Sequence, residues 1–384
     1  MLSTSILIFI LCFVAGFISM LLVFTPIANK YMRTLQIKPT MLPFSYILLF
    51  YILGTICLYF GIERNDFIED LTAVRTFVPL LLAFVIFIAS MLSSGKVFML
   101  TIIGCVAATV WLQPLGDGFP FPNIPVWAAR LLLIIIFSIF CIFYGVLNYL
   151  PQTMIIPSIF TLFGIAGLAA FSAAPVYLAC CSSLLIGALS GYFCININTV
   201  KIPFDNGSCS ALAYLITSLI LLDSGEYSLS SCFIFCIFFW CELAVAIWNK
   251  FLITKTGSLA ESTFCAQAAQ KVSMQALIVN VAKICTISLF IGWFQIFSVN
   301  QYSLILISFA IVLWLNHSML HPFNNSLKSI NREFMSDLKQ NISELQDNFK
   351  SIQKNKSDTA KKRTAKTSVK KNTRKNSAKK TKGK

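Results

Sequence analysis

Charge is scarce in this chain: 12% of its 384 residues are charged and two are His, against 57% hydrophobic residues. A soluble globular domain carries about a quarter charged residues, so that class is excluded and the mean hydropathy of +0.78 places the chain in a membrane. The charge is also uneven. Residues 1–327 hold 12 Lys/Arg against 10 Asp/Glu, and residues 328–384 hold 18 against 5, so +13 of the net +15 sits in the tail. A nearly neutral apolar body of this kind is no nucleic-acid binder. The sequence has no CxxC pair, and its 13 Cys stand singly in apolar stretches apart from Cys180-Cys181. A disulfide or zinc framework is therefore not expected, and the cysteines read as small packing residues. The first apolar stretch lacks a charged n-region and a small-residue cleavage site, which predicts a retained anchor. No internal repeat is present.

Apolar stretches are abundant instead. A bilayer core about 30 Å thick needs roughly 20 apolar residues per helix. Eleven stretches meet that pattern: 4–26, 41–61, 74–93, 96–113, 127–149, 153–172, 175–195, 208–222, 230–248, 276–297 and 301–320. The weakest are 153–172 and 208–222, either of which could be re-entrant. Basic residues are retained on the cytoplasmic side. Alternate loops carry Lys30, Arg33 and Lys38, then Lys96, Lys201, and Lys250, Lys255 and Lys271. The expected fold is an all-α, polytopic integral membrane protein of about eleven transmembrane helices, with the N-terminus outside and the C-terminus cytoplasmic. The domains expected are a transmembrane domain over 1–322, a cytoplasmic amphipathic helix over 323–353 and a disordered Lys-rich tail over 354–384.

The loop after the seventh stretch reads Phe193-Cys194-Ile195-Asn196-Ile197-Asn198-Thr199-Val200-Lys201-Ile202-Pro203-Phe204-Asp205-Asn206-Gly207-Ser208. It resembles the F-L-x-x-N-x-x-x-A-K-I-F-M-G-D-x-G-S signature of the polyprenyl-phosphate N-acetylhexosamine-1-phosphate transferases, which include the phospho-N-acetylmuramoyl-pentapeptide transferase-like enzymes. Phe193, Asn196, Lys201, Ile202, Asp205, Gly207 and Ser208 match, with one residue missing between Lys and Asp. Partial echoes are Thr25-Pro26, Asn148-Tyr149-Leu150 in place of N-F-M, and Glu242 ahead of Asn249-Lys250 where the family has an Asp before paired Arg. The resemblance, to a divergent member, runs through most of residues 1–320. It implies a multi-pass protein of the bacterial inner membrane that transfers a sugar 1-phosphate from a UDP-sugar to undecaprenyl phosphate at the cytoplasmic face, initiating a surface glycan.

The resemblance also implies roles. Asp205 would be catalytic and, with Glu242, would hold Mg²⁺. Lys201, Asn196, Gly207, Ser208, Asn148 and Lys250 would bind substrate. The chemistry suits the residue types: a carboxylate oxygen holds a hard cation, Lys201 pairs with phosphate, Gly207 lets backbone N–H groups approach an anion, and Ser208 caps the next helix. The bland reading of Asp205-Asn206-Gly207-Ser208 is a turn and helix start. The departures are specific. The family's Asp-Asp pair falls on Ala89-Ser90, its D-G-x-D-G on Pro151-Gln152-Thr153-Met154-Ile155, and its His cluster on Cys265-Ala266-Gln267. Glu242 and Glu261 are the remaining candidates for a second carboxylate. A catalytically inactive relative that binds lipid carrier or scaffolds glycan-assembly enzymes is the alternative. A transporter would show repeated halves and broken helices at midplane, and neither is visible in the sequence.

Other features are weaker. His317 and His321 lie one helical turn apart without a third ligand, which fits interfacial solvation better than zinc. Lys283, a third of the way into its span, is expected to face a cavity or a partner. Cys232 and Cys236 at i and i+4 read as packing residues. From Leu327 to Ile352 apolar residues recur every three or four positions, predicting an amphipathic helix that lies on the inner leaflet or pairs with a second copy in a homo-oligomer. Residues 354–384 hold 14 Lys/Arg and the single acid Asp358. Their expected partner is anionic lipid, since no aromatic residue supports nucleic-acid stacking. A peptide of this segment should bind anionic but not neutral liposomes, with affinity falling steeply once the Debye length drops below about 10 Å. Equal binding to both, or indifference to salt, would refute the lipid assignment.

Overall fold

The computed structural model describes residues 2–27, 42–61, 70–92, 94–112, 125–147, 151–171, 176–198, 204–223, 229–254, 258–270, 273–295 and 303–316, all within the unit Met1–Met319. The amphipathic stretch 323–353, the tail 354–384, His317 and His321 lie outside them. The described residues are almost wholly helical and contain no strand. In chain order the helices are α1 (Leu2–Ser19, running on through a π turn at Met20–Phe24), α2 (Leu42–Gly61), α3 (Asp70–Leu92), α4 (Ser94–Leu112) and α5 (Val126–Val146). Then come α6 (Pro151–Phe171), α7 (Val176–Asn198), α8 (Asn206–Asp223), α9 (Leu229–Phe235), α10 (Ile237–Trp248), α11 (Phe264–Ala269), α12 (Met274–Phe294) and α13 (Ser303–Asn316). A helix stands at each of the eleven expected stretches. Among the described residues four of them are long and apolar enough to cross a bilayer, or five if the bent pair α9 and α10 counts as one span. This fits a membrane protein.

Burial sorts the helices into a centre and a rim. α7 and α8 are enclosed over nearly their whole described length, whereas α1, α5 and α12 turn long apolar side chains such as Leu22, Trp127 and Phe294 outward. Hydrocarbon offers no hydrophobic drive between helices, so close packing of small residues has to hold them together. The α1–α7 crossing shows how. On α7, Ser183, Gly187 and Gly191 recur every four residues. Ser183 Oγ donates to the Phe9 carbonyl at 2.7 Å, a Cβ on Gly187 would collide with the Phe13 carbonyl oxygen, and one on Gly191 would lie 2.7 Å from Met20 Cβ. From the α1 side, a Cβ on Gly16 would lie 2.6 Å from the Leu184 carbonyl oxygen. Residue numbers rise together along both helices, so the pair is parallel.

The ninth stretch, 230–248, is broken. α9 and α10 meet at Cys236 with a bend of 61°, a broken helix not visible in the sequence. The weak stretches 153–172 and 208–222, by contrast, are helical throughout their described residues as α6 and α8. A break among buried residues frees backbone groups that need partners, and Thr161 Oγ1 of α6 donates to the Phe235 carbonyl at 3.0 Å. The Phe235 ring fills the notch left by Gly164 of α6 and Gly292 of α12. One bent span is thereby keyed into two neighbours. All thirteen cysteines are free thiols and most are buried, Cys232 and Cys236 among them, as packing residues would be. Lys283 is exposed on α12, so of the cavity and the partner expected for it the cavity is not seen.

Candidate functional site

The matched loop is built around the first turn of α8. The Asp205 carbonyl accepts from Cys209 N–H at 3.0 Å. Its side-chain Oδ1 accepts from Ser208 N–H at 3.0 Å and, through a short hydrogen bond, from Ser208 Oγ. Asp205 is therefore the N-cap, with Ser208 three residues on, and the cap assigned to Ser208 moves to Asp205. Gly207 is buried in the same turn, and Ser208 is fully buried. A Cβ on Gly145 would lie 2.6 Å from the Asn206 carbonyl oxygen, so the last turn of α5 rests directly on this helix start.

Phe204, immediately before the cap, stacks on Tyr192 of α7 with ring centres 4.4 Å apart. It also meets Phe44 of α2 edge-on at 5.9 Å, and Phe44 in turn contacts Phe87 of α3. Ends of α2, α3, α5, α7 and α8 thus gather at one end of the bundle, around the loop that carries the motif. Asn196 is buried on the last turn of α7, and its side chain pairs with the Tyr192 hydroxyl. Sequence reasoning missed Phe204, Tyr192 and Gly145. The aromatic residue next to Asp205 was the available signal for the first.

Glu242 is on α10, one turn beyond Phe239. That ring packs on Phe140 at 4.6 Å and on Tyr144 at 5.8 Å, both of α5. Tyr144 is itself tied to α6, its hydroxyl donating to the Met154 carbonyl at 2.8 Å. Glu242 is fully buried. Its carboxylate accepts from Cys265 N–H at 3.3 Å and from Cys265 Sγ–H at 3.4 Å, which pins α11 beneath the end of the bent span. Burial and then the neighbouring carboxylate push the Cys265 thiol well above its ordinary range, so it remains a protonated donor. Glu261 closes a capping box: its Oε2 accepts from Ser258 N–H at 3.2 Å and its own N–H donates to Ser258 Oγ at 3.3 Å. Lys250 sits half-buried in the π turn Asn249–Thr254, and Asn249 Nδ2 donates to the Ser262 carbonyl at 3.0 Å. Lys201 and Asn148 lie outside the described residues.

Magnesium takes a near-octahedral shell of carboxylate, phosphate and water oxygens. Among the described residues no three His, Cys, Asp or Glu side chains converge on one point. Asp205 Oδ1 already accepts from two Ser208 donors, and Glu242 is enclosed by an amide and a thiol rather than by oxygen ligands. Among the described residues there is therefore no ready-made cage of protein ligands for a cation. No family model matches the chain, and no curated protein matches it.

Proposed function

We propose that the chain crosses the bacterial inner membrane eleven times, N-terminus outside, as a divergent relative of the polyprenyl-phosphate sugar-1-phosphate transferases. In this reading it binds the lipid carrier, or gathers glycan-assembly enzymes, at its cytoplasmic face without transferring sugar phosphate. One observation carries it: Asp205, Glu242 and Glu261 each serve the fold, as helix cap, buried tether and capping box. The second reading is the transferase itself, with UDP-sugar and undecaprenyl phosphate as substrates. It is favoured by the gathering of Asn196, Asp205, Gly207 and Ser208 where five helix ends meet.

Membranes containing the protein, incubated with UDP-N-acetylhexosamines, undecaprenyl phosphate and Mg²⁺, should release no UMP while a control transferase in the same membranes does. UMP that disappears in Asp205→Asn would establish the second reading, because an amide carries no charge for metal or phosphate chemistry. The same position separates cap from catalyst by stability. Asn caps a helix as well as Asp does, so Asp205→Asn should unfold within a few tenths of a kcal/mol of wild type, whereas Asp205→Ala should lose about 1 kcal/mol. Denaturant unfolding in detergent measures both, and equal losses for the two variants would remove the capping role.

A further inference from the structure

α12 is one of the four helices long and apolar enough to cross a bilayer. One side of it packs into the bundle, with Leu277, Val281, Ile284 and Ser288 buried. The other side repeats every three or four residues as Val279, Lys283, Ile287, Phe290 and Phe294, all exposed. Four of these five suit hydrocarbon, and Lys283 does not. It stands near the middle of Met274–Phe294, nine residues from one end and eleven from the other.

Lysines near the ends of spans reach the headgroups on their long stems. Lys283 is too deep for that. Side chains on a helix lean toward its N-terminus, here Met274, and at 1.5 Å per residue that end is about 13 Å away along the axis, farther than a lysine side chain extends. An ionisable residue at such depth is costly and pairs with an opposite charge. The anion has to be brought to the lysine's own level, which excludes a lipid phosphate. Among the described residues the chain itself offers none. Asp205, Glu242 and Glu261 are bonded within the fold, and Asp70 and Asp223 stand at helix ends. A second copy would add another Lys283 and the same bonded acids.

We infer that the outer face of α12 docks a membrane-spanning helix of another protein, one that carries Asp or Glu near its middle opposite Lys283. Val279, Ile287 and Phe290 provide the apolar contact around the pair. Asn280, half-buried three residues before Lys283, has an amide that can donate to the same carboxylate. The inference rests on α12 crossing the bilayer and not on carrier binding at Asp205.

The full-length protein, with a fluorescent donor after Lys384, would be placed in phosphatidylcholine vesicles. With it goes a synthetic spanning peptide of Leu and Ala that has one Asp at its centre and an acceptor dye at one end. Energy transfer should show association about 5- to 30-fold tighter than for the same peptide with Leu at its centre, as a polar contact between membrane helices gives. Asn at the centre should give a smaller gain. Lys283→Leu, a change at an exposed position, should bring the Asp peptide down to the Leu level, whereas Leu131→Ala, exposed on α5, should leave the preference unchanged. Equal binding of the Asp and Leu peptides would overturn the inference, as would an undiminished preference in Lys283→Leu. An Asn peptide that bound as well as the Asp peptide would remove the acidic partner. Self-association of the protein that was lost in Lys283→Leu would also overturn it and pass the face to a second copy.

Discussion

Gly187→Leu should yield no monodisperse protein, because a side chain there has to pass through the backbone of α1. The Phe13 carbonyl oxygen occupies the space a Cβ needs, and backbone cannot turn aside as a flexible side chain does. Gly187→Ala asks for one methyl and should cost about 1–3 kcal/mol, the usual range for overpacking. The matched control is Leu131→Ala on the outer face of α5, expected to change stability by no more than about 0.5 kcal/mol. Thermal unfolding in one detergent ranks the three. A stable Gly187→Leu protein would mean that α1 and α7 do not pack backbone to backbone.

The second large effect belongs to Glu242. Replacing it by Ala removes both acceptors of Cys265 at once and leaves a buried N–H unsatisfied, a loss of about 1–3 kcal/mol. That loss falls on one tether, so it should show as local opening of the segment around α11 before global unfolding. Maleimide labelling at Cys265, followed by peptide mass spectrometry, should accelerate by about 10- to 100-fold, the same free energy expressed as a population. Glu242→Gln keeps one acceptor and should fall between. Labelling at the wild-type rate in Glu242→Ala would show that the carboxylate does not hold this segment. No change at Cys57, already exposed in the wild type, is the internal control.

The helical stretches were legible because hydrophobic length is a direct physical requirement of a bilayer. What surrounds each helix was not. α8 reads as a weak span because its Ser, Ala, Gly and Cys residues lower its hydropathy, yet it lies at the centre, where its neighbours are protein and small residues are an advantage. The bend at Cys236 left no trace either, since no Pro or Gly marks it; its support comes from Thr161, seventy-four residues before the Phe235 carbonyl it binds. At the candidate site the residues marked a helix start, but the cap was put on Ser208, three residues beyond the observed cap at Asp205. Asp and Ser are both good caps, and only the direction of the hydrogen bonds separates them. Gly187 and Gly191, four residues apart in an apolar stretch, were readable as a helix-packing face and were passed over. Glu261 three residues after Ser258 was likewise readable as a capping box.

The parallel contact between α1 and α7 sets an order of events in time. Phe9 and Ser183, joined by a hydrogen bond in the finished protein, are 174 residues apart in the chain. At about 5–20 residues per second, a ribosome needs roughly 10–35 s to supply the second after the first. Through that interval the face of α1 that carries Gly16 has no α7 to pack against. That face is thus made long before the helix that covers it, and its packing waits on α7.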